Sequence, residues 1–470
     1  MKLYGNGWQR NVMQPFDSRQ LTAILQDLLV SPVPAGVIVS AISTDTRTLV
    51  VGDTFVAISG ERFDGHCFVE TALANGASAL LVERPQQAFV PQVVVRDTRL
   101  ALGRLAAAIR DDFVQRGGIV IGVTGSAGKT TSKQMLAAIF SQQGKTHATK
   151  GNFNNELGVP FTWFALPDDA EFAVIEMGAN HQGEIAYLSG ISRPHIAMIT
   201  NAGEAHLQGF GGVDGVAKGK GELFAGLCRG DTAVINMDDK YASYWRSLTA
   251  DGVKVKTFAL QQYQRQQHQA DVYAEAIAAD YSRFVLCADG QRQALVLPTV
   301  GRHNVINALG CAACALAAGI ALPVIAAGLS TFTGAKGRLQ KKVMGQLTVI
   351  DDTYNANPLS LRASADILAD SAGYRIMVLG DMQELGDNEL AIHHQLGQEI
   401  SGKADAFLCV GEKMLAFTQA NNKAAHYDDI SKLQTALLAL IRQHRPATVL
   451  VKGSRCMRME RIVDFLLRSE

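Results

Sequence analysis

One stretch, GIVIGVTGSAGKTT at residues 118–131, restricts what this chain can fold into more than any other. Its β-branched apolar run, 119–123, reads as a buried parallel strand, and a glycine-rich turn follows. A helix-favouring segment then runs from 129 to 143. Strand, glycine turn and helix in that order cradle a nucleotide triphosphate. Gly125 and Gly128 let the backbone turn tightly, so that successive N–H groups, those of Ser126 and Ala127 included, point at phosphate oxygens. The helix N-terminus adds partial positive charge on the same side. Lys129 is placed to reach the β- and γ-phosphates, and the Thr130 hydroxyl, with Thr131 beside it, to ligate Mg²⁺. A plain strand-to-helix turn would not need the Lys-Thr pair. The loop is a variant, because the usual spacing puts its first glycine at Val123, whereas this chain has Gly122 and Gly125.

The rest of the chain extends the alternation into an α/β protein with parallel sheets and helices on both faces. Short strands with turn signals fill residues 1–97. Strands and helices alternate from 98 to 333 (IVIGVTG, FAVIEMGA, HIAMITNAG, DTAVINMDD, then the helix after GRHN). A second alternating set, doubly wound in pattern, occupies 334–470 (LTVIDDTYN, YRIMVLGDM, AFLCVGEK, ATVLVKGS). Three domains with those boundaries are expected. The glutamine-rich QQYQRQQHQ at 261–269 reads as a surface loop.

Charge and composition exclude several partners. Lys plus Arg equals Asp plus Glu, 44 of each, with no long basic block, so neither nucleic acid nor a membrane surface is an expected partner. The first 18 residues lack a signal-peptide-like apolar stretch, and no run of apolar residues reaches membrane-spanning length. Seven scattered cysteines fit a reducing cytoplasm, and Cys311 with Cys314 falls in an alanine-rich helix where small-residue packing explains both.

Nearly every expected strand carries a polar cluster at its carboxyl end, where open parallel sheets bind ligands. These clusters are Lys129 with Thr130, Glu176, the segment 201–206, Asp351 with Asp352, Asp381, and Lys452 with Ser454 and Arg455. Beside a phosphate loop, a strand-end acid such as Glu176 commonly holds Mg²⁺. Imidazole is an unusual Mg²⁺ ligand, so residue type alone favours a structural role for His206.

GVTGSAGKTT with its displaced glycine, GNFNNELGVP (151–160), EMGANHQGEI (176–185), TNAGEAHL (200–207) and GRHNVINAL (301–309) together resemble the Mur ligase family. These are ATP-dependent amide-forming ligases of peptidoglycan precursor synthesis. DDTYNANP (351–358), GDMQELG (380–386) and VKGSR (451–455) are similar to the family member that adds D-alanyl-D-alanine to UDP-N-acetylmuramoyl-tripeptide.

The resemblance implies roles that spacing does not give. It implies a small α/β UDP-binding N-terminal domain, a central phosphate-loop ATPase domain and a C-terminal Rossmann-like domain. Ser43, Thr44, Asp45 and Arg47 (STDTR) are similar to the segment that contacts the uridine diphosphate. Asn152, Asn154 and Asn155 match the segment passing the muramoyl sugar, and Asn304 and Asn307 the positions near adenine. Arg338 and Asp352 match residues that close over ATP, Asp352 on the ribose hydroxyls. Asn355, Asn357 and Arg455 are implied contacts for the dipeptide or the precursor peptide. KGKGELF (218–224) matches the region that carries a carbamylated lysine in the family. Lys220 is preferred over Lys218 because GELF keeps the family register; as a carbamate it would support a second Mg²⁺ together with His206. The related ligase adding diaminopimelate carries an arginine in its DNPR-like motif, where this chain reads NANP (355–358). Folylpolyglutamate synthase lacks a UDP-binding first domain, and a catalytically silent precursor sensor would be expected to have lost Lys129, Glu176 or Lys220. A monomeric cytoplasmic ligase is the expectation.

Overall fold

The computed structural model describes residues 12–60, 63–260, 270–334 and 337–469; the glutamine-rich segment 261–269 lies outside them. The chain forms two compact units. The first comprises the residues up to Gly122, Gly144–Met177 and Ala186–Pro194, and the second Val123–Gln143, Gly178–Ile185 and His195 onward.

In the first unit, five strands lie side by side in chain order: Val12–Asp17, Ile38–Ser43, Thr54–Val56, Ala79–Val82 and Gln92–Val94. The first pair is antiparallel and the others parallel. Phe55, Leu80 and Val82 pack with Val69 and Ala72 of the helix Val69–Ala74 to make the core beside this sheet. Asp17 starts the helix Ser18–Leu25 through a capping box with Gln20. The long helix Thr98–Gln115, capped by Asp97, carries Phe113 into contact with Trp163 of the helix Gly158–Phe164. Strand Phe172–Glu176 pairs in parallel with Thr146–Ala148. All five of its residues are buried, so its apolar run carries no alternation.

The second unit holds two sheets. In one, Ile196–Ile199, Thr232–Asn236, Lys254–Ala259 and Val272–Glu275 are parallel neighbours. Two further strands, Arg283–Ala288 and Gln291–Val296, add to them antiparallel, which departs from the all-parallel expectation. The last two are joined directly by Asp289 and Gly290, both at positive φ (48° and 75°), a two-residue turn that reverses the strand. Helix Arg302–Ala317 buries Cys311 and Cys314 completely, and burial pushes both thiols up. A side chain at Gly310 would lie 2.6 Å from Met198 Sδ, which accounts for the small residues on this face.

The other sheet runs Gln340–Met344, Leu347–Asp352, Ala447–Lys452, Tyr374–Gly380, Ala406–Val410 and Ala424–Tyr427 across its width. Only its first pair is antiparallel. Side-chain parity sorts it into two faces. Ile350, Met377 and Phe407 meet Leu361, Leu396 and Phe417 on one side. Val349, Val378 and Leu408 meet Leu437, Ile462 and Leu466 on the other. Helices therefore cover both faces, as doubly wound sheets require. Strand Ala447–Lys452 lies between Leu347–Asp352 and Tyr374–Gly380, so the strand order reverses there and three polar ends, Asp352, Asp381 and Lys452, gather at the crevice. Among the described residues no helix is long and apolar enough to cross a membrane.

Candidate functional site

The strand Ile119–Thr124 delivers the chain into the phosphate loop, and Gly128 caps the helix Lys129–Phe140 in the left-handed conformation. Both loop glycines are required. Gly125 has φ +147° and a Cβ there would stand 1.9 Å from Thr200 Oγ1; Gly128 has φ +85° and a Cβ would stand 2.6 Å from Asn307 Oδ1.

The loop is held from behind by the segment after strand Ile196–Ile199. Ser126 N donates to Asn201 O (3.0 Å) and Ala127 N to Asn201 Oδ1 (3.0 Å). Thr200 Oγ1 and Asn201 Nδ2 both donate to Ala127 O (2.6 and 3.1 Å), and Gly203 N to Ser126 Oγ (2.9 Å). The Ser126 and Ala127 amides are thus engaged by Asn201 in this structure. Lys129 Nζ donates to Gly125 O at 2.6 Å, folded over its own loop. Asn201, read from sequence only as part of a polar strand end, is the side chain that shapes the loop.

Arg338 Nη2 donates to Thr130 Oγ1 (3.0 Å), and its guanidinium lies 4.2 Å from the Tyr354 ring centroid. Asn307 faces the loop at Gly128, while Asn304 is buried and donates to Thr299 Oγ1 and Val300 O. Asp352 is buried against the Lys452 ammonium, and Ser364 Oγ donates to the same carboxylate oxygen at 2.7 Å. Lys452 Nζ also reaches Asn355 O (3.0 Å). Asn357 is the N-cap of helix Pro358–Ala369, its Oδ1 accepting from Ser360 N with Pro358 in the first turn; that commits the carboxamide oxygen to the fold. Arg455 is exposed and pairs with Glu460.

Lys220, on helix Val213–Ala225, is 1 % exposed, whereas Lys218 lies on the surface. Its Nζ donates to Ala179 O (3.1 Å) and sits 5.0 Å from the Phe210 ring centroid. Gly219 permits this: a Cβ there would stand 2.4 Å from the Phe210 ring. Burial pushes the Lys220 amine well below the usual lysine range; Lys129 acts in the same direction, and Glu184 and Glu222 oppose it. His206 caps the short helix Leu207–Phe210 with φ 55°, and its Nδ1 lies against the Glu384 carboxylate in a contact that is not aligned as a hydrogen bond. That imidazole holds the Glu384 carboxyl below the usual carboxylate range.

The first unit carries the remaining residues. Asn154 Nδ2 donates to Glu176 Oε1 (2.8 Å), and Glu176 N donates to Thr149 Oγ1 (3.0 Å), so the asparagine segment and the buried acid form one arrangement. Asn155 Oδ1 accepts from Gly158 N (2.9 Å), and Asn152 is exposed. In STDTR, Arg47 is exposed and its guanidinium grips Asp45 through Nε (2.9 Å) and Nη2 (2.5 Å). Arg47 holds the Asp45 carboxyl below its ordinary value. Ser43 Oγ donates to Asp45 O (3.1 Å), and Thr44 is half-buried beside it. The pair is thus satisfied internally, and a diphosphate would compete with Asp45 for Arg47.

Among the described residues no three His, Cys, Asp or Glu side chains converge on a point. A magnesium site at a nucleotide does not need such a cage, because phosphates and waters fill most of the shell. The donor set fits in two respects: His206 stands against a carboxylate, and Lys220 is a buried lysine whose amine burial pushes well below the usual lysine range.

Three family models match: the Mur ligase family catalytic domain over residues 38–110, the Mur ligase middle domain over 123–315 and the Mur ligase glutamate ligase domain over 337–455. A curated Escherichia coli (strain K12) protein named UDP-N-acetylmuramoyl-tripeptide–D-alanyl-D-alanine ligase is 41% identical over 449 residues, 95% of this chain and 97% of that protein. The chain belongs to the Mur ligase family. Its architecture is that of a three-domain Mur ligase with a predominantly parallel central sheet. Among solved structures, MurF from Acinetobacter baumannii superposes with a TM-score of 0.90 at 38% identity, covering 97% of this chain and 99% of that one. MurF ligase from Thermotoga maritima in complex with ADP matches with a TM-score of 0.80 at 26% identity, covering 91% and 97%.

Proposed function

We propose that this Mur ligase joins D-alanyl-D-alanine to UDP-N-acetylmuramoyl-tripeptide at the expense of ATP, in the cytoplasm. The observation that carries the reading is the full-length similarity to a relative bearing that name. The division at 1–97, 98–333 and 334–470 is proposed with it, as UDP-precursor, ATP and ligase domains.

The chemistry follows from charge. A peptide carboxylate does not acylate an amine at neutral pH, because oxide is too poor a leaving group. Transfer of the ATP γ-phosphoryl to a carboxylate oxygen gives an acyl phosphate and ADP. The neutral amine of the dipeptide then attacks the carbonyl carbon, the C–O bond to phosphate breaks, and the amine gives up a proton. Two anions must approach one another, so positioning and charge stabilisation dominate. Lys129 supplies a cation to the transferred phosphoryl, and the helix N-terminus beneath Gly128 supplies partial charge. Arg338, stacked on Tyr354 and bonded to Thr130, is proposed to close over the nucleotide, with Asp352 and Asn307 beside it. Thr130, Glu176, His206 and Lys220 are the proposed Mg²⁺ ligands, Lys220 as a carbamate formed from its amine and CO₂ with loss of a proton. Bound magnesium would offset the repulsion between phosphate and carboxylate. Asn154 holds the Glu176 carboxylate in place. The STDTR segment and Asn152 are proposed to hold the UDP-sugar, and Asn355 and Arg455 the peptide.

The test is phosphate release by purified protein with ATP, Mg²⁺ and UDP-N-acetylmuramoyl-tripeptide, with and without D-alanyl-D-alanine. Release that depends on the dipeptide, with a pentapeptide product of matching mass, is expected. Release with another amino acid but not with this dipeptide would overturn the substrate assignment and keep the ligase chemistry.

A further inference from the structure

The GDMQELG segment (380–386) has no role in the chemistry above, yet it is anchored at three points. Asp381 Oδ1 accepts from Met414 N (3.0 Å), Met382 N donates to His393 Nε2 (3.1 Å), and Gln383 N donates to Ser454 Oγ (2.9 Å). From this frame Glu384 projects with φ 63° and its carboxylate meets His206 Nδ1. His206 itself has φ 55°. Two non-glycine residues in the left-handed region, paired through their side chains, mark backbone that the surroundings hold against its own preference. A second tie lies alongside: Arg362 Nη1 reaches Glu204 Oε2 at 2.7 Å, two residues before His206.

We propose that Glu384 is a positioning residue for His206. By engaging Nδ1 it fixes the ring orientation and leaves Nε2 as the nitrogen that faces a divalent cation. A ligating histidine whose other nitrogen is held by a carboxylate is oriented in advance and is more basic. Because Glu384 stands on the Tyr374–Gly380 side of the doubly wound sheet while His206 follows the strand beside the phosphate loop, the contact also makes cation binding depend on how that sheet is docked. The proposal rests on the reading of His206 as a metal ligand.

Mn²⁺ with ADP is the probe, followed by pulsed EPR for ¹⁴N modulation from a coordinated imidazole and by titration for Mn²⁺ affinity. Wild-type protein is expected to show the modulation, and His206→Ala to abolish it. Glu384→Ala is expected to weaken Mn²⁺ binding about tenfold or more and to lose the modulation. Glu384→Gln, which keeps a side-chain oxygen of the same reach against Nδ1, retains it. Arg362→Ala cuts the neighbouring tie and keeps the modulation. Modulation and affinity unchanged in Glu384→Ala would overturn the proposal. Equal loss in Arg362→Ala would also overturn it, since Glu384 would then be only a strap between the two sheets. Absence of modulation in the wild type, with His206→Ala binding Mn²⁺ normally, would remove the metal reading of His206 and the proposal with it.

Discussion

Gly125→Ala offers the most direct test of the phosphate-loop geometry. The added Cβ would stand 1.9 Å from Thr200 Oγ1 and 3.1 Å from Thr200 Cβ, on a backbone at φ +147°. The backbone alone costs about 1–3 kcal/mol for a residue with a side chain. Relieving the overlap adds about 1–3 kcal/mol of overpacking. If Thr200 rotates away it forfeits its bond to Ala127 O, worth about 1 kcal/mol. The total is about 3–7 kcal/mol, measurable by urea unfolding. Thr200→Ala removes Oγ1, the closest atom, so the double variant separates the two sources. The overlap is then gone while the backbone cost persists, and a coupling energy of about 1–3 kcal/mol between the two substitutions is expected. Strict additivity, within about 0.5 kcal/mol, would refute the packing argument and leave backbone conformation as the whole effect.

Further outcomes follow from the same geometry. Lys220 has a folded-state pKa below its unfolded value, so the unfolded chain binds more protons between the two, and stability rises with pH up to about 10.4, the unfolded value. Unmodified Lys220→Met lacks that rise: under CO₂-free conditions its unfolding free energy should vary less with alkaline pH than that of the wild type, and its ligase activity should be lost. Equal slopes would refute the burial argument. Arg338→Ala loses the Tyr354 stack and the Thr130 bond, about 1–3 kcal/mol together, and should raise KM for ATP about tenfold or more in steady-state assays. Asn154→Ala removes the bond to Glu176 Oε1 and should lower kcat/KM about tenfold, whereas Asn155→Ala should act on stability through the start of helix Gly158–Phe164.

What the sequence disclosed and what it hid divide along physical lines. Strand–loop–helix order, the doubly wound C-terminal pattern and the buried cysteine pair were legible because each is a local signal: hydrophobic period, glycine placement, small-residue runs. The hairpin 283–296 carries an equally local signal, Asp289-Gly290, set within a stretch whose prevailing pattern is strand–helix alternation. The same holds for Asn357: Asn-Pro-x-Ser is a helix start, and its cap geometry competes with any role in recognition. Other facts had no local signal. That Asn201 occupies the amides of Ser126 and Ala127, and that Arg47 is engaged by Asp45, depend on which side chains the fold turns toward each other.

Lys220 and Glu384 show why the candidate site is harder to read than the fold. KGKGELF presents two lysines two residues apart, and on a helix such positions face different surroundings. In the fold Lys220 is buried beside Phe210, which packs against Gly219, while Lys218 is exposed, and burial pushes the Lys220 amine down. Glu384 is 178 residues from His206 in the chain, so no spacing rule connects them. What connects them is the docking of the doubly wound sheet beside the phosphate-loop strands, the same arrangement that brings Arg338 to Thr130 and Arg362 to Glu204. Each of these pairs joins a residue before 210 to one after 337. Residues proposed to act on the nucleotide are therefore tied together by contacts between these two sheets.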